Sequence, residues 1–168
     1  MKSLFNGLLI VFILTFYLTS CKQKGKMEEN SWFTTEVEYD GYPLLLRKPN
    51  HPNIWSFQNN YTQIVRLSHS LDHVNSNGLP TADYNTSLSE FDGETIRLFD
   101  PKKEGIIFLI ETFGGSRNYW FFTLPTADYS TKFKNLQERH KDKDLEVTSR
   151  EDKNWNFIKD YPFRLYQK

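Results

Sequence analysis

The hexapeptide LPTADY occurs twice in this chain, at residues 79–84 and again at residues 124–129, an offset of 45 positions. In both copies a proline disfavours helix before it, and the threonine that follows can cap a new helix. The aspartate would then lie in the first helical turn, where the positive end of the helix dipole favours an acid. Each copy therefore predicts a junction at which a strand ends and a helix begins.

Apolar residues continue at helical spacing after both copies of the hexapeptide. This predicts one helix after Thr81, weakened by Gly93, and a second helix over residues 126–140. The strands upstream do not align at the 45-residue offset, so only the junction and the helix repeat, and a chance match is the alternative interpretation. The matched pairs are Tyr84 with Tyr129, Leu88 with Phe133, and Phe91 with Leu136.

Alternation of side chains predicts the strands that flank these helices. Residues 61–71 alternate with period two, residues 106–113 and 118–124 are apolar runs joined by a glycine turn, and residues 145–149 suggest a last core strand. From residue 61 the order is strand, helix, strand, strand, helix, strand. We therefore predict an α+β fold with a ferredoxin-like βαββαβ antiparallel sheet and two helices on one face.

Two further segments complete the predicted domain, which covers residues 32–168. Asp40-Gly41 is a strong two-residue hairpin signal between strands at 32–39 and 42–48. This N-terminal β-hairpin is expected to cover the free face of the sheet or to extend one edge. The C-terminal extension, which holds Trp155 and Phe157, is expected to be another strand or a wrapping segment.

The N-terminus indicates export. Lys2 is the only charge before Cys21, and an apolar run is followed by small residues at the expected cleavage site. This is the pattern of a secretory signal over residues 1–20. The sequence LTSC at residues 18–21 resembles the lipobox of bacterial lipoproteins, which implies lipid on Cys21 and a polar tether over residues 21–31. We expect the protein to be held on a bacterial membrane, facing the periplasm or the exterior. A plain signal peptide or a retained anchor is the alternative.

Charge and cysteine content restrict the partners. Removal of residues 1–20 removes Lys2 alone and leaves 20 basic and 21 acidic residues, so the domain has no bulk attraction for phosphate backbones. We therefore expect no nucleic-acid partner.

Cys21 is the only cysteine, which excludes an internal disulfide, and an aromatic content of 16% is typical of a packed, β-rich core.

The glycine turn carries the one candidate contact site. Gly114, Gly115, Ser116 and Arg117 could cradle an anion with backbone N–H groups, but a hairpin turn that needs positive φ is the preferred interpretation. Arg117 is the best single candidate for contacting a ligand or a protein partner.

The histidines do not form a convincing catalytic or metal site. On a strand, Ser68 and His69 point to opposite faces, and His69 and His73 lie about 13 Å apart, too far to share one ion. We predict no catalytic residues, no metal and no cofactor. The aromatic strand at residues 119–122 is expected to be core, covered by the N-terminal hairpin.

Three motifs together resemble the family called Domain of Unknown Function 695. They are GLPT before the first helix, T-x-G-G-x-R at residues 112–117, and E-D-x-x-W-x-F at residues 151–157. The resemblance spans residues 32–163 and implies an α+β domain with no assigned activity. It supplies no functional residues to carry over.

These observations favour a membrane-anchored, non-catalytic module that binds an unknown protein or small ligand. The alternative is a small cell-envelope hydrolase that uses the His51 loop, His69 or His73, and the turn at Gly114 to Arg117. A third interpretation is a scaffold that pairs through an exposed sheet edge, which predicts a dimer.

Overall fold

A computed structural model describes residues 31–167, which form an α+β domain with one six-stranded antiparallel sheet and four α-helices. The strands are β1 Trp32–Tyr39, β2 Tyr42–Pro49, β3 Gln63–Ser70, β4 Gly105–Phe113, β5 Ser116–Thr123 and β6 Asp144–Glu151. The helices are α1 Ala82–Ser87, α2 Ser89–Ile96, α3 Tyr129–Arg139 and α4 Asn156–Asp160, with a short 3₁₀ helix at Ile54–Phe57. The predicted signal, Cys21 and most of the tether lie outside the described residues.

The strand order in the sheet is β1-β2-β4-β5-β3-β6, and every neighbouring pair is antiparallel. Consequently β3 and β4 run in the same direction with β5 between them, and α1 and α2 make the connection. In the same way β5 and β6 run in the same direction with β3 between them, connected by α3. The α+β class predicted from the sequence is confirmed.

Helices α2 and α3 cover one face of the sheet, which we call the helix face. Phe91 of α2 and Leu136 of α3 are both at most 2% exposed and belong to one apolar cluster with the inward side chains of the strands. The strand members of this cluster are Val65, Leu67, Ile107, Ile110, Tyr119 and Phe121. The predicted stripe of apolar residues on each helix therefore does form part of a common core.

The C-terminal segment covers the other face of the sheet, which we call the tail face. The Trp155 ring stacks on the Phe122 ring at 4.0 Å, and its indole N–H donates to the carbonyl of Tyr61 at 2.7 Å. Farther along, Leu165 is buried in the same apolar cluster. The extension thus wraps across the sheet and includes α4, whereas the expectation that the hairpin covers the aromatic strand is wrong.

The N-terminal hairpin extends one edge of the sheet. Asp40 and Gly41 have φ values of 52° and 77°, which confirms the predicted two-residue turn. Eight residue pairs join β1 to β2, but only three join β2 to β4. The hairpin is therefore an addition at the β4 edge, and β1 is the outermost strand.

The two copies of LPTADY begin their helices differently. Thr81 precedes α1 as predicted but makes no side-chain cap hydrogen bond, and the first helical segment breaks near Leu88 into α1 and α2. In the second copy the helix starts at Tyr129, not at residue 126, because the Asp128 side chain caps it by accepting from the Thr131 N–H at 3.0 Å. The prediction that both junctions use the same capping chemistry is therefore wrong.

No helix within residues 31–167 has the length and apolar character needed to cross a membrane.

Candidate functional site

The Gly114-Gly115 turn is a hairpin turn that also contacts the loop containing Gly78. Both glycines have positive φ, at 55° and 83°, as the hairpin interpretation requires. The Gly115 N–H donates to the carbonyl of Gly78 at 2.9 Å, and the Gly115 carbonyl accepts from Leu71 at 2.8 Å. The Gly115 N–H therefore has an internal partner, and the turn serves as the meeting point of two loops.

Arg117 lies inside the protein, under the helix face. Its side chain is 1% exposed, and all three guanidinium nitrogens donate internally. Nε donates to Thr112 Oγ1 at 3.1 Å, Nη1 donates to both carboxylate oxygens of Asp92 at 3.0 and 2.8 Å, and Nη2 donates to Asn85 Oδ1 at 2.6 Å. In this conformation a partner would meet the exposed Gly114 and the adjoining turn backbone, not the guanidinium.

Asp92 is the centre of this buried network. Besides Arg117, it accepts hydrogen bonds from Arg47 Nη1 at 3.3 Å and from the Tyr119 hydroxyl. Burial and the neighbouring Asp92 carboxylate raise the pKa of Tyr119, so this hydroxyl stays protonated and donates. The network links α2 to β2 and β5, which gives Arg117 a structural role.

His69 lies beside this network on the helix face and is fully buried. Its Nε2 is 3.5 Å from the Tyr84 hydroxyl, which donates to Asp72 Oδ2 at 3.2 Å. Burial, with Lys143 and Arg117 nearby, lowers the pKa of His69 to about 4, so the ring is neutral at pH 7. Its Nδ1 has no hydrogen-bond partner within residues 31–167.

The polar groups named for a hydrolase do not all come together: His69 lies opposite Arg117 in the register of β3 and β5, whereas His51 lies apart. His51 packs near Phe57 on the tail face, and its Nε2 donates to the Ile107 carbonyl at 2.9 Å. His69 packs against Phe91 on the helix face, and the exposed His73 ring rests on Tyr84. The sheet therefore separates His51 from the other two histidines. No three His, Cys, Asp or Glu side chains of residues 31–167 are grouped to hold a metal ion.

The tail face holds an open cleft around Trp120. The register aligns Glu111, Asn118, Ser68 and Glu146 in one row across β4, β5, β3 and β6, and Trp120 and Arg66 lie opposite each other in the next row. The C-terminal segment crosses beside these rows. Cavities of about 560 and 320 Å³ share Trp120, Arg150 and Phe157 in their walls.

Aromatic rings and polar groups form the walls of this Trp120 cleft. The Phe157 ring lies 4.2 Å from the Trp120 ring, and the Tyr161 hydroxyl donates to Glu111 at 2.6 Å. Burial, followed by the Glu111 carboxylate, raises the pKa of Tyr161, so this hydroxyl remains a donor. Arg66 pairs with the exposed Glu146 at 3.2 Å, whereas Arg150 has no ion-pair partner among the described residues.

Three polar atoms beside the cleft lack hydrogen-bond partners within residues 31–167. They are Trp120 Nε1, Arg66 Nε and Asn118 Oδ1, and all three are screened from solvent. Two of them are donors and one is an acceptor. Buried polar atoms are normally hydrogen-bonded. Three buried polar atoms without hydrogen bonds on two adjacent strands are therefore an unusual feature of this part of the sheet.

A model of a family of unknown function, DUF695, matches residues 53–163. The chain belongs to the DUF695 family. No curated protein and no solved structure matches the chain.

The DUF695 match begins at residue 53 and is shorter than the predicted span of residues 32–163, so the β1–β2 hairpin lies outside it. Two of the three motifs meet in space. A Cβ on Gly78, in GLPT, would lie 3.0 Å from Gly114 Cα, so only glycine fits there with its φ of 81°. Close contact between these two loops thus requires glycine at position 78, whereas Gly114 is favoured by its own positive φ of 55°.

The third DUF695 motif fixes the C-terminal segment. The Asp152 carboxylate accepts from the backbone N–H groups of Asn156 and Phe157 at 2.8 and 3.0 Å and thereby holds the start of α4. Trp155, two residues before Phe157, inserts fully into the core. The motif therefore sets the position of Phe157 over Trp120.

Sequence reasoning missed Asp92 and the Trp120 cleft. A signal existed for Asp92, because it lies four residues after Leu88 on the apolar stripe of the helix, where an acid needs a buried partner. No comparable signal marked Trp120, since the aromatic strand is apolar on both faces and its exposure depends on the path of the C-terminal segment.

Proposed function

We propose that this DUF695 protein is a non-catalytic binding module, and that the Trp120 cleft takes a ligand bearing amide groups. The observation that carries the proposal is the set of unpartnered atoms Trp120 Nε1, Arg66 Nε and Asn118 Oδ1. An amide offers a carbonyl acceptor beside an N–H donor, which complements two donors and one acceptor. The unsatisfied groups would then gain their hydrogen bonds on binding.

Binding requires a small movement in the cleft. The three atoms are screened from solvent, and the Phe157 ring lies 4.2 Å from the Trp120 ring. A ligand would shift Phe157 and take over its contact with Trp120, while Trp155 and Asp152 keep the remainder of the segment in place. The walls of aromatic rings with a few polar groups are typical of small-molecule sites.

We infer that the four strands β4-β5-β3-β6 with α2 and α3 form a ferredoxin-like unit. The strand order and the two connections that each skip one strand support this assignment. The hairpin and the C-terminal segment would then be additions, one at the edge and one on the tail face.

We also propose that the module is exported and held on a bacterial membrane by lipid on Cys21. The apolar run followed by LTSC supports this proposal. The cleft would then face the periplasm or the exterior, where amide-bearing peptides and acetamido sugars are both accessible ligands.

Isothermal titration of the purified protein with two probes tests the binding proposal. N-acetyl-dialanine methylamide represents a peptide source of the amide, and N,N′-diacetylchitobiose represents a sugar source. We expect saturable binding of one probe, and Trp120→Phe, which removes the indole N–H but keeps a ring, should weaken it by about tenfold. The control Trp32→Phe, on the helix face of β1, should bind like the wild type.

Failure of both probes, or equal loss in the two tryptophan variants, would refute the cleft as an amide site.

A further inference from the structure

The outer edge of β1 is an unoccupied pairing edge. β1 ends the strand order, and no described residue between 31 and 167 pairs with its outer side. The strand is eight residues long and regular along its whole length, without a bulge against β2. Long regular edge strands of this kind are templates for another strand.

The backbone groups that face outward can be assigned from the register. A two-residue turn hydrogen-bonds the residues that flank it, here Tyr39 and Tyr42, so odd-numbered residues of β1 point their N–H and C=O groups at β2. The bond from Asn50 N–H to the Ser31 carbonyl at 2.8 Å agrees with this assignment. The backbone groups of Thr34, Glu36 and Glu38 therefore face outward.

Acidic side chains repeat along this edge. Glu36 and Glu38 lie on the helix-face side of β1 at alternate positions, with the turn residue Asp40 continuing the series. Opposite them on β2 are Leu45 and Pro43, so neither glutamate has a cross-strand cation. Neither has an ion-pair partner anywhere among residues 31–167.

The tail-face side of the same hairpin is aromatic and exposed. Phe33, Tyr39 and Tyr42 are 51%, 43% and 54% exposed, the largest values among the described large apolar side chains. These residues share one side of the hairpin because they alternate with the acids along β1 and pair across the turn. An added strand would thus meet acids on one side and aromatic rings on the other.

We propose that the outer edge of β1 receives an extended polypeptide segment in which Lys or Arg alternates with apolar residues. The segment would pair with the outward N–H and C=O groups of Thr34, Glu36 and Glu38. Its cations would lie beside Glu36 and Glu38, and its apolar side chains would cover Phe33 and Tyr39. This surface is separate from the Trp120 cleft and does not depend on it.

A second copy of the chain fits this edge poorly. Antiparallel pairing of two β1 strands centred on Glu36 would set the two Glu36 side chains opposite each other. Pairing centred on Val37 would set Glu36 opposite Glu38. Like charges directly opposite destabilise a sheet, so the acids act against self-pairing and in favour of a basic partner.

Fluorescence anisotropy with a labelled, terminally blocked peptide tests the proposal. In this peptide Lys alternates with Val or Thr, and the control peptide has the same composition with its lysines contiguous. The full chain should bind the alternating peptide at least about tenfold more tightly, because only that peptide can place every cation on one side of an added strand. Amide hydrogen exchange at Thr34, Glu36 and Glu38 should slow on binding, which a purely electrostatic association would not produce.

Charge reversal supplies the matched controls. Glu36→Lys with Glu38→Lys should weaken binding of the alternating peptide by about tenfold or more. Glu138→Lys, an exposed acid on α3, should leave it unchanged. Equal affinity for the two peptides, equal loss in the Glu138 variant, unprotected β1 amides, or a dimer through β1 in sedimentation experiments would overturn the proposal.

Discussion

Arg117 Nη1 contacts both carboxylate oxygens of Asp92, at 3.0 and 2.8 Å, inside the helix face of the sheet. The pair joins β5 to α2 across 25 positions of sequence and is almost completely screened from solvent. An arginine that follows a glycine turn in the sequence thus supports the fold from within. Three polar atoms without hydrogen-bond partners lie on the opposite face, around Trp120.

Arg117→Met should lower the free energy of unfolding by about 3–5 kcal/mol, because the buried Asp92 carboxylate loses the positive charge and the hydrogen bonds of the Arg117 guanidinium. Urea unfolding followed by far-ultraviolet circular dichroism measures the change. Arg150→Met, which removes an exposed arginine on β6, should stay within about 0.5 kcal/mol of the wild type. A decrease in unfolding free energy below about 1 kcal/mol in Arg117→Met would show that the network is not needed for stability.

Stability should fall as pH drops from 6.5 towards 4 because His69 has its folded pKa lowered to about 4. In this window the unfolded chain binds a proton that the folded protein excludes, so the unfolded state is favoured. The pKa difference corresponds to a loss of up to about 3 kcal/mol, present in full near pH 4. Above pH 6.5 the ring is neutral in both states and the contribution vanishes.

The measurement is the difference in unfolding free energy between the wild type and His69→Leu at each pH in this range. All other titratable groups are present in both proteins, so their effects cancel in this difference. The difference should change by about 3 kcal/mol between pH 7 and pH 4. His73→Gln, which alters the exposed histidine, should show no such change relative to the wild type. A pH-independent difference for His69→Leu would contradict the neutral, buried ring.

Gly78→Ala should destabilise the protein by about 1–3 kcal/mol, because the residue has positive φ and its Cβ would press on Gly114. Gly41→Ala is the matched control, since its φ of 77° is similar but no atom lies within 4 Å of the added Cβ. Both variants place alanine at a positive φ, but only Gly78→Ala adds a clash with Gly114. The difference between their thermal unfolding therefore measures the cost of that clash. Equal losses would indicate that the two motifs do not need to touch.

Much of this fold could be predicted because its signals are local. The Asp40-Gly41 turn needs only two residues with positive φ, and the alternation from Tyr61 to Leu71 matches β3 to within two residues at its start and one at its end. The start of α3 could not be predicted as easily. Thr126 and Asp128 are both acceptable caps, and only the local path of the chain selects Asp128.

The candidate site was harder to predict than the fold for a physical reason. The environment of Arg117 depends on Asp92 and Asn85, which approach it only when the helices pack on the sheet. Likewise, Trp120 looks the same in the sequence as its buried neighbours Tyr119 and Phe121. Its partial exposure is set by Trp155 and Phe157, which fix where the C-terminal segment crosses the tail face.

Cells grown with radioactive palmitate should incorporate the label into this protein through Cys21, as the anchor proposal requires. Cys21→Ser should abolish the label because the sequence holds no other thiol. The control Ser20→Ala keeps a small residue before the cysteine and should still be labelled. Label that persists in Cys21→Ser would exclude this residue as the lipid attachment point.

The most direct test of the binding proposal is to follow the indole N–H resonance of Trp120 in a proton–nitrogen NMR spectrum during titration with the amide probes. The resonance is assigned by its loss in Trp120→Phe. If the cleft binds through its unpartnered atoms, this resonance should shift saturably downfield with the Asn118 side-chain amide, while the Trp32 and Trp155 indole signals stay in place. A bound probe that shifts other indole signals and leaves Trp120 unmoved would contradict the account.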